Sequence, residues 1–139
     1  MRRLLLSVGA VLLFLLLAGC FYLFGPTNEI DNALGLNRQS MIDCTLKWGQ
    51  LAPFPQEIRD FHIKVEGNMF TRGFRGSFSA QPEIIQTWLK ESPGVRDGQH
   101  ETQPDGSSHH ILKPGEGASY GELIVSPDQT HVSFHVYWS

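Results

Sequence analysis

The segment DFHIKVE, residues 60–66, decides the fold of this chain because its apolar and polar residues alternate without interruption. Alternation with a period of two predicts a strand that is buried on one side and exposed to solvent on the other. The apolar residues that would face the interior are Phe61, Ile63 and Val65. The polar face would carry Asp60, His62, Lys64 and Glu66. The chain therefore contains a half-buried sheet.

The residues after this strand predict a hairpin. Gly67-Asn68 can adopt positive φ angles, so we expect a tight two-residue turn and a second strand over residues 69–80. The phenylalanines of this strand recur at even spacing on one face, at Phe70, Phe74 and Phe78. Gly73 and Gly76 interrupt it and predict a bulge or a bend in the second strand.

Three more strands are predicted towards the C-terminus, over residues 109–113, 120–125 and 131–138. The last alternates most regularly, with Val132, Phe134, Val136 and Trp138 inward and His131, Ser133, His135 and Tyr137 outward. Residues 95–108 show no periodicity and are rich in Gly, Pro, Asp and Ser, which predicts a loop.

Two helices complete the prediction. A short one is expected over residues 40–48, and a stronger one begins at Pro82, a favoured first helical residue. The second helix has one apolar stripe, formed by Ile84, Ile85, Trp88 and Leu89, and Ser92-Pro93-Gly94 would end it. Short connections favour antiparallel pairing. The predicted fold class is α+β, a two-layer sandwich of about five mostly antiparallel strands and one main packed helix.

Composition limits what such a fold can do. The chain has 139 residues, of which 41% are hydrophobic and 18% charged, so it holds one globular domain. A net charge of −3 predicts no nucleic-acid partner. Two cysteines are too few for a disulfide scaffold or a cysteine-rich zinc module.

The N-terminus predicts a membrane segment. Arg2 and Arg3 precede the uncharged segment 4–24, which at about 1.5 Å rise per residue would reach roughly 30 Å, the thickness of a bilayer core. One interpretation is a signal peptide, since Leu17-Ala18-Gly19-Cys20 resembles the lipobox of bacterial lipoproteins. That resemblance implies that Cys20 becomes the lipid-modified N-terminal residue. The other interpretation is an uncleaved transmembrane helix, because the apolar run continues to Phe24.

Both interpretations predict the same location. The two arginines stay in the cytoplasm, so residues 25–39 form a tether and residues 40–139 an extracytoplasmic domain, either periplasmic or at the cell surface. Cys44 would then lie in an oxidising compartment, either paired between chains or buried as an inert thiol. Loss of Arg2 and Arg3 with a signal peptide would change the net charge from −3 to −5. Such a domain would stand off an anionic membrane surface.

Two further segments carry a second resemblance. Residues 67–74, GNMFTRGF, together with residues 88–94, WLKESPG, resemble small uncharacterised bacterial membrane-anchored proteins. The resemblance implies one compact domain behind an anchor. It implies no activity, substrate or cofactor.

No catalytic motif stands out, and no cofactor is predicted. There is no Gly-x-Ser-x-Gly nucleophile motif, and Gly115-Glu116-Gly117 lacks the residues of a phosphate loop and predicts a turn. The candidate binding residues are Arg72, Arg75, His110, His131 and His135. Alternation places Arg72 on the phenylalanine face and Arg75 on the opposite face.

Six histidines suggest a metal site as an alternative. His131 and His135 share a strand face but would lie about 13 Å apart, too far for one zinc ion. A site could form from His109 or His110 with His131 or His135 if their strands pair.

The sequence therefore predicts a membrane-anchored, non-catalytic module that binds a protein, an envelope component or a small ligand through its outer sheet face and the 95–108 loop. The alternatives are a small envelope enzyme or metal-binding protein that uses the histidines, and a structural spacer or assembly subunit.

Overall fold

In a computed structural model, residues 37–68 and 70–139 are described. The predicted membrane segment, Cys20 and the tether as far as residue 36 lie outside the described residues. The described residues belong to one compact unit, Leu36–Ser139. No helix in this part of the chain is long and apolar enough to cross a membrane.

The first helix, α1, is Arg38–Gly49 and confirms the predicted helix over residues 40–48. It begins earlier because Asn37 caps it, its side-chain oxygen accepting a hydrogen bond from the Ser40 amide at 2.8 Å. It ends at Gln50, whose left-handed backbone lets its N–H donate to carbonyls of the last turn. Cys44 on this helix is partly buried and packs against the core.

The sheet has six strands, one more than predicted, and every neighbouring pair is antiparallel. In chain order they are β1 (Arg59–Gly67), β2 (Arg72–Ser79), β3 (Gln99–Thr102), β4 (Ser108–Ile111), β5 (Tyr120–Val125) and β6 (His131–Trp138). Their order across the sheet is β1-β2-β6-β5-β4-β3. The α+β class with an antiparallel sheet is confirmed.

The extra strand, β3, lies inside the segment predicted to be a loop. All four of its residues are exposed, so it has no apolar alternation that a sequence pattern could reveal. Backbone pairing with β4 holds it at the edge of the sheet. A short helix, α3 (Pro93–Arg96), overlaps the start of the same segment and lies directly after the main helix α2 (Pro82–Glu91). Ser92-Pro93-Gly94 ends α2 as predicted, but it also starts α3.

The hairpin between β1 and β2 is longer than the predicted two-residue turn. β1 ends at Gly67 and β2 begins only at Arg72. The Asn68 side-chain oxygen accepts hydrogen bonds from the backbone amides of Phe70 and Thr71, at 2.8 and 3.2 Å. The backbone N–H of Asn68 donates to the Thr71 carbonyl. These bonds satisfy the amides of Asn68, Phe70 and Thr71, which lie outside the ladder. Phe70 therefore lies outside β2 and is 78% exposed, so the predicted face of three phenylalanines was wrong.

The predicted bulge lies in β1 and not in β2. Pairing along β2 to β6 is continuous, whereas β1 shifts register between Arg59 and His62, where Asp60 has a φ of 53°.

Gly76 on β2 provides space for a neighbouring side chain. A Cβ at this position would overlap the Phe134 ring and the His62 carbonyl, so glycine lets the aromatic ring lie against the backbone of β2.

The helices and the inner face of the sheet enclose one core. Its largest fully buried side chains are Trp88, Phe74, Phe78, Phe134, Ile85, Leu123, Val132 and Val136. Phe54 lies among them, with its ring centroid 5.2–5.7 Å from those of Phe61, Phe78, Trp88 and Phe134. α1 contacts four strands, so it packs on the sheet together with α2.

Trp138 was expected to face inward but is 46% exposed. It pairs with Arg72 at the last position of β6, where the sheet extends beyond the core. Side-chain direction alone does not bury a residue at the end of a strand.

Candidate functional site

The outer face of the sheet carries a connected set of polar side chains, which we call the outer-face network. Its members are Lys64, Glu66, Arg75, His109, Tyr120, Glu122, His135 and Tyr137. They come from β1, β2, β4, β5 and β6. Each lies on the face opposite the core because it alternates with a residue that faces inward.

Strand register explains why these residues meet. One row of directly paired residues crosses the sheet, with Lys64 opposite Arg75, Arg75 opposite His135, and His135 opposite Glu122. Directly opposed side chains on one face of an antiparallel pair lie about 4.5–5.5 Å apart at Cβ. The network is therefore a consequence of pairing, since its members are separated by up to 73 positions in sequence (Lys64 to Tyr137).

Glu66 joins the basic residues at one end of the network. Its carboxylate lies 2.8 Å from Lys64 Nζ and 3.0 Å from Arg75 Nε. The hydrogen bond from Lys64, followed by that from Arg75, holds the pKa of Glu66 below its usual range although partial burial opposes the shift. The two basic side chains are largely exposed, so each ion pair contributes little to stability and mainly fixes orientation.

His135 occupies the centre of the network. Its Nδ1 lies 3.1 Å from Arg75 Nη2. A guanidinium group can only donate, so Nδ1 accepts and the neutral ring carries its proton on Nε2. Burial, followed by the charge of Arg75, lowers the pKa of His135, while Glu66 and Glu122 act in the opposite direction at 3.9 and 3.8 Å.

Glu122 connects the centre to the other end of the network. Its Oε2 is 2.9 Å from His109 Nε2 and accepts a hydrogen bond from the Tyr120 hydroxyl at 3.1 Å. Burial and the nearby Glu122 charge raise the pKa of Tyr120, so its hydroxyl stays a donor. This carboxylate bonds one residue on β4 and one on β5 and lies 3.8 Å from His135 on β6.

An aromatic strip lies along the network. The ring centroids of Tyr120 and Tyr137 are 5.4 Å apart, and those of Tyr137 and His135 are 5.3 Å apart. Gly73 on β2 pairs with Tyr137 on β6. A Cβ at Gly73 would lie 3.1 Å from Tyr137 Cβ and 3.2 Å from His135 Nε2, so the glycine leaves room for both rings.

The lowered pKa of His135 predicts that acid destabilises the fold. The usual histidine pKa is 6.5. Below that value the unfolded chain binds this proton more readily than the folded chain, so the stability associated with neutral His135 is present above pH 6.5 and is lost as pH falls through the folded pKa. Urea unfolding of the full chain in detergent measures this effect. Between about pH 7.5 and about pH 5.5, we expect the free energy of unfolding to fall more for the original chain than for the His135→Gln variant.

The control for this experiment is His62→Gln, which removes an exposed histidine from the same face. This variant should keep the acid sensitivity of the original chain. An equal loss of stability in the original chain and in His135→Gln would contradict the expectation.

The structure brings together only two of the five predicted binding residues, Arg75 and His135. His131 is on the same face but at the other end of β6, where its Nδ1 contacts Ser79 Oγ at 3.1 Å. Arg72 lies at the end of β2 opposite Trp138. His110 pairs with His100 and faces the side opposite His109.

The predicted metal site required the strand of His109 and His110 to pair with the strand of His131 and His135, and these strands do not pair. β5 lies between β4 and β6, and His110 is on the opposite face from His131 and His135. Among residues 37–68 and 70–139, no group of three or more His, Cys, Asp or Glu side chains is arranged to hold a metal ion.

Six network residues were absent from the predicted binding set, namely Lys64, Glu66, His109, Tyr120, Glu122 and Tyr137. Alternation in β5 could have placed Glu122 outward, because Leu123 and Val125 alternate with it. Its partners could not be predicted, since they depend on register between strands distant in sequence.

An open groove of about 350 Å³ is present on the helical side. It is lined by Pro53, Pro55, Glu57, Glu83, Ile84, Thr87, Trp88 and Glu91. Its charged groups are three carboxylates around an apolar floor, and this lining contains no cationic side chain. The outer-face network is therefore the better candidate site.

Comparisons of the chain with protein-family models, curated proteins and solved structures found no match.

Proposed function

We propose that this chain is a membrane-anchored extracytoplasmic module that binds a protein partner through the outer face of its sheet and catalyses no reaction. The observation that carries the proposal is the outer-face network. Its charged and aromatic side chains are held in fixed orientations on the side of the sheet opposite the helices.

The composition of this face favours a protein partner. Arginine and tyrosine are enriched in protein interfaces, and the network contains Arg75, Tyr120 and Tyr137. Ile124 and Ile111 lie beside it, 42% and 36% exposed, and pair across the strands with Ser133 and Glu122. Small ligands are usually enclosed by concave pockets, whereas this site is an open sheet face.

The network also lowers the cost of binding. Ordering a flexible side chain at an interface costs about 0.5–1.5 kcal/mol. Arg75 and Glu122 are already held by two or more neighbours each. Their orientation is thus established before a partner arrives.

The N-terminal segment supports the location. Arg2 and Arg3 before the uncharged run 4–24 favour an orientation with the domain outside the cytoplasm. Anchoring by lipid at Cys20 or by a transmembrane helix would confine the domain near the membrane surface. The proposed partner is therefore a protein of the cell envelope.

Photo-crosslinking in living cells tests the binding face. A photoreactive residue at Ile124 reports on the outer face, and the same residue at exposed Glu91 on α2 is the matched control. We expect one defined crosslinked product from position 124 and none from position 91. Arg75→Ala should reduce that product by roughly tenfold, as for a residue central to an interface. The same product from both positions, or none from position 124, would contradict the proposal.

The intact mass of the chain extracted from bacterial membranes tests the anchor. A mass without residues 1–19 and with added acyl chains indicates a lipoprotein modified at Cys20. A full-length mass for a chain that stays in the membrane fraction in high salt indicates a transmembrane helix. A full-length chain that leaves the membrane fraction in high salt would rule out either anchor.

A further inference from the structure

Two histidines face each other on the opposite side of the sheet from the outer-face network. His100 on β3 is the direct cross-strand partner of His110 on β4, and their ring centroids are 4.7 Å apart. Directly opposed residues of an antiparallel pair project to the same face. His100 is exposed and His110 is half-buried, so the pair is open to solvent from one side.

These rings have unused nitrogens, unlike those of His109, His131 and His135. Within residues 37–68 and 70–139, hydrogen bonds or ion pairs join side chains to His109, His131 and His135. The corresponding contacts described for this part of the chain include neither His100 nor His110. The four ring nitrogens of the pair are thus available to a ligand at the edge of the sheet.

We propose that His100 and His110 form a two-histidine site for a divalent transition-metal ion such as Zn²⁺. Imidazole nitrogens are preferred ligands of Zn²⁺, Cu²⁺ and Ni²⁺. Water completes the coordination, because the pair provides two protein ligands.

The separation of the rings suits such a site. Zinc binds imidazole nitrogen at about 2.0–2.1 Å with tetrahedral geometry, so two nitrogens that share the ion lie about 3.3 Å apart. The ring centroids are 4.7 Å apart and inclined by 39°, so one nitrogen of each ring can reach that separation by rotation about χ2. The backbone needs no rearrangement, because the β3–β4 pairing already sets the spacing.

Binding would affect the strand that is otherwise least supported. β3 is a four-residue edge strand with all residues exposed, and β4 is its neighbour in the sheet. An ion shared by one residue from each strand connects them. A ligand that binds only the folded state stabilises it by mass action.

Zinc titration of the full chain without an affinity tag tests the proposal. Calorimetry in detergent should show one zinc ion bound per chain. His100→Gln and His110→Gln should each weaken binding by about tenfold or more, since loss of even a residue that only orients a metal ligand costs 10–100-fold. His100 is exposed, so its variant keeps the test valid if the His110 variant unfolds.

His62→Gln is the control, because it removes an exposed histidine from β1, at the other edge of the sheet and outside the outer-face network. It should bind zinc like the original chain. No saturable zinc binding, unchanged binding in His100→Gln, or equal loss in His62→Gln would overturn the proposal. None of these results depends on the crosslinked partner, so the metal site and the proposed function can fail independently.

Discussion

Replacement of Trp88 by alanine is expected to destabilise the domain by about 3–5 kcal/mol, the range for truncating a buried tryptophan. The Trp88 side chain is 2% exposed and packs edge-on against Phe78 with ring centroids 5.3 Å apart. Its indole N–H donates a hydrogen bond to the Ala52 carbonyl at 2.9 Å. Alanine would leave a cavity between α2 and the sheet and remove the donor to a partly buried carbonyl.

Urea unfolding of the full chain in detergent, followed by circular dichroism, measures this effect. Trp138→Ala is the control, because it removes the same side chain from an exposed strand end. Trp138→Ala should lower the free energy of unfolding by less than about 1 kcal/mol, as most substitutions at surface sites do. Equal losses in both variants would show that Trp88 is not the centre of the core.

Replacement of Gly94 by alanine is expected to destabilise the domain by about 3 kcal/mol, near the upper range for overpacking. A Cβ at this position would overlap the backbone carbonyl of Gly49, which cannot rotate away as a side chain could. Gly94 N–H donates to the Gln50 carbonyl at 2.8 Å, and its own carbonyl accepts from the Lys113 amide at 2.9 Å. The substitution would thus separate α1 from α3 and strain the segment after β4.

Gly106→Ala provides the comparison for Gly94→Ala. Gly106 has a φ of 86°, and its nearest neighbour to an added Cβ is a Pro127 side-chain atom at 3.4 Å. Alanine there should cost only the backbone strain of a positive φ, about 1–2 kcal/mol. The same urea measurement applies to both variants. A smaller loss for Gly94→Ala than for Gly106→Ala would contradict the close backbone approach.

The elements with strong internal patterns were predictable. β5 and β6 have the predicted bounds, and α2 begins at the predicted Pro82, because alternation and an amphipathic stripe are properties of adjacent residues. Gly76 shows the opposite case. Glycine is required there because the Phe134 ring occupies the space of a Cβ. Phe134 is 58 positions away, so the sequence suggested only an irregularity in β2.

The candidate site divides in the same way. Alternation alone assigned Arg75 and His135 to the outer face. It could not show that Arg75 contacts His135, that Glu122 joins His135 to His109, or that His110 pairs with His100, because strand order and register determine those contacts.

By itself, the sequence determined an α+β domain with a half-buried antiparallel sheet and the face to which each regular strand directs its side chains. Only the tertiary structure decided that there are six strands, that β3 is one of them, and which charges and rings meet. The physical reason is that local periodicity determines side-chain direction, whereas contacts between strands arise from pairing energies and packing over long sequence separations.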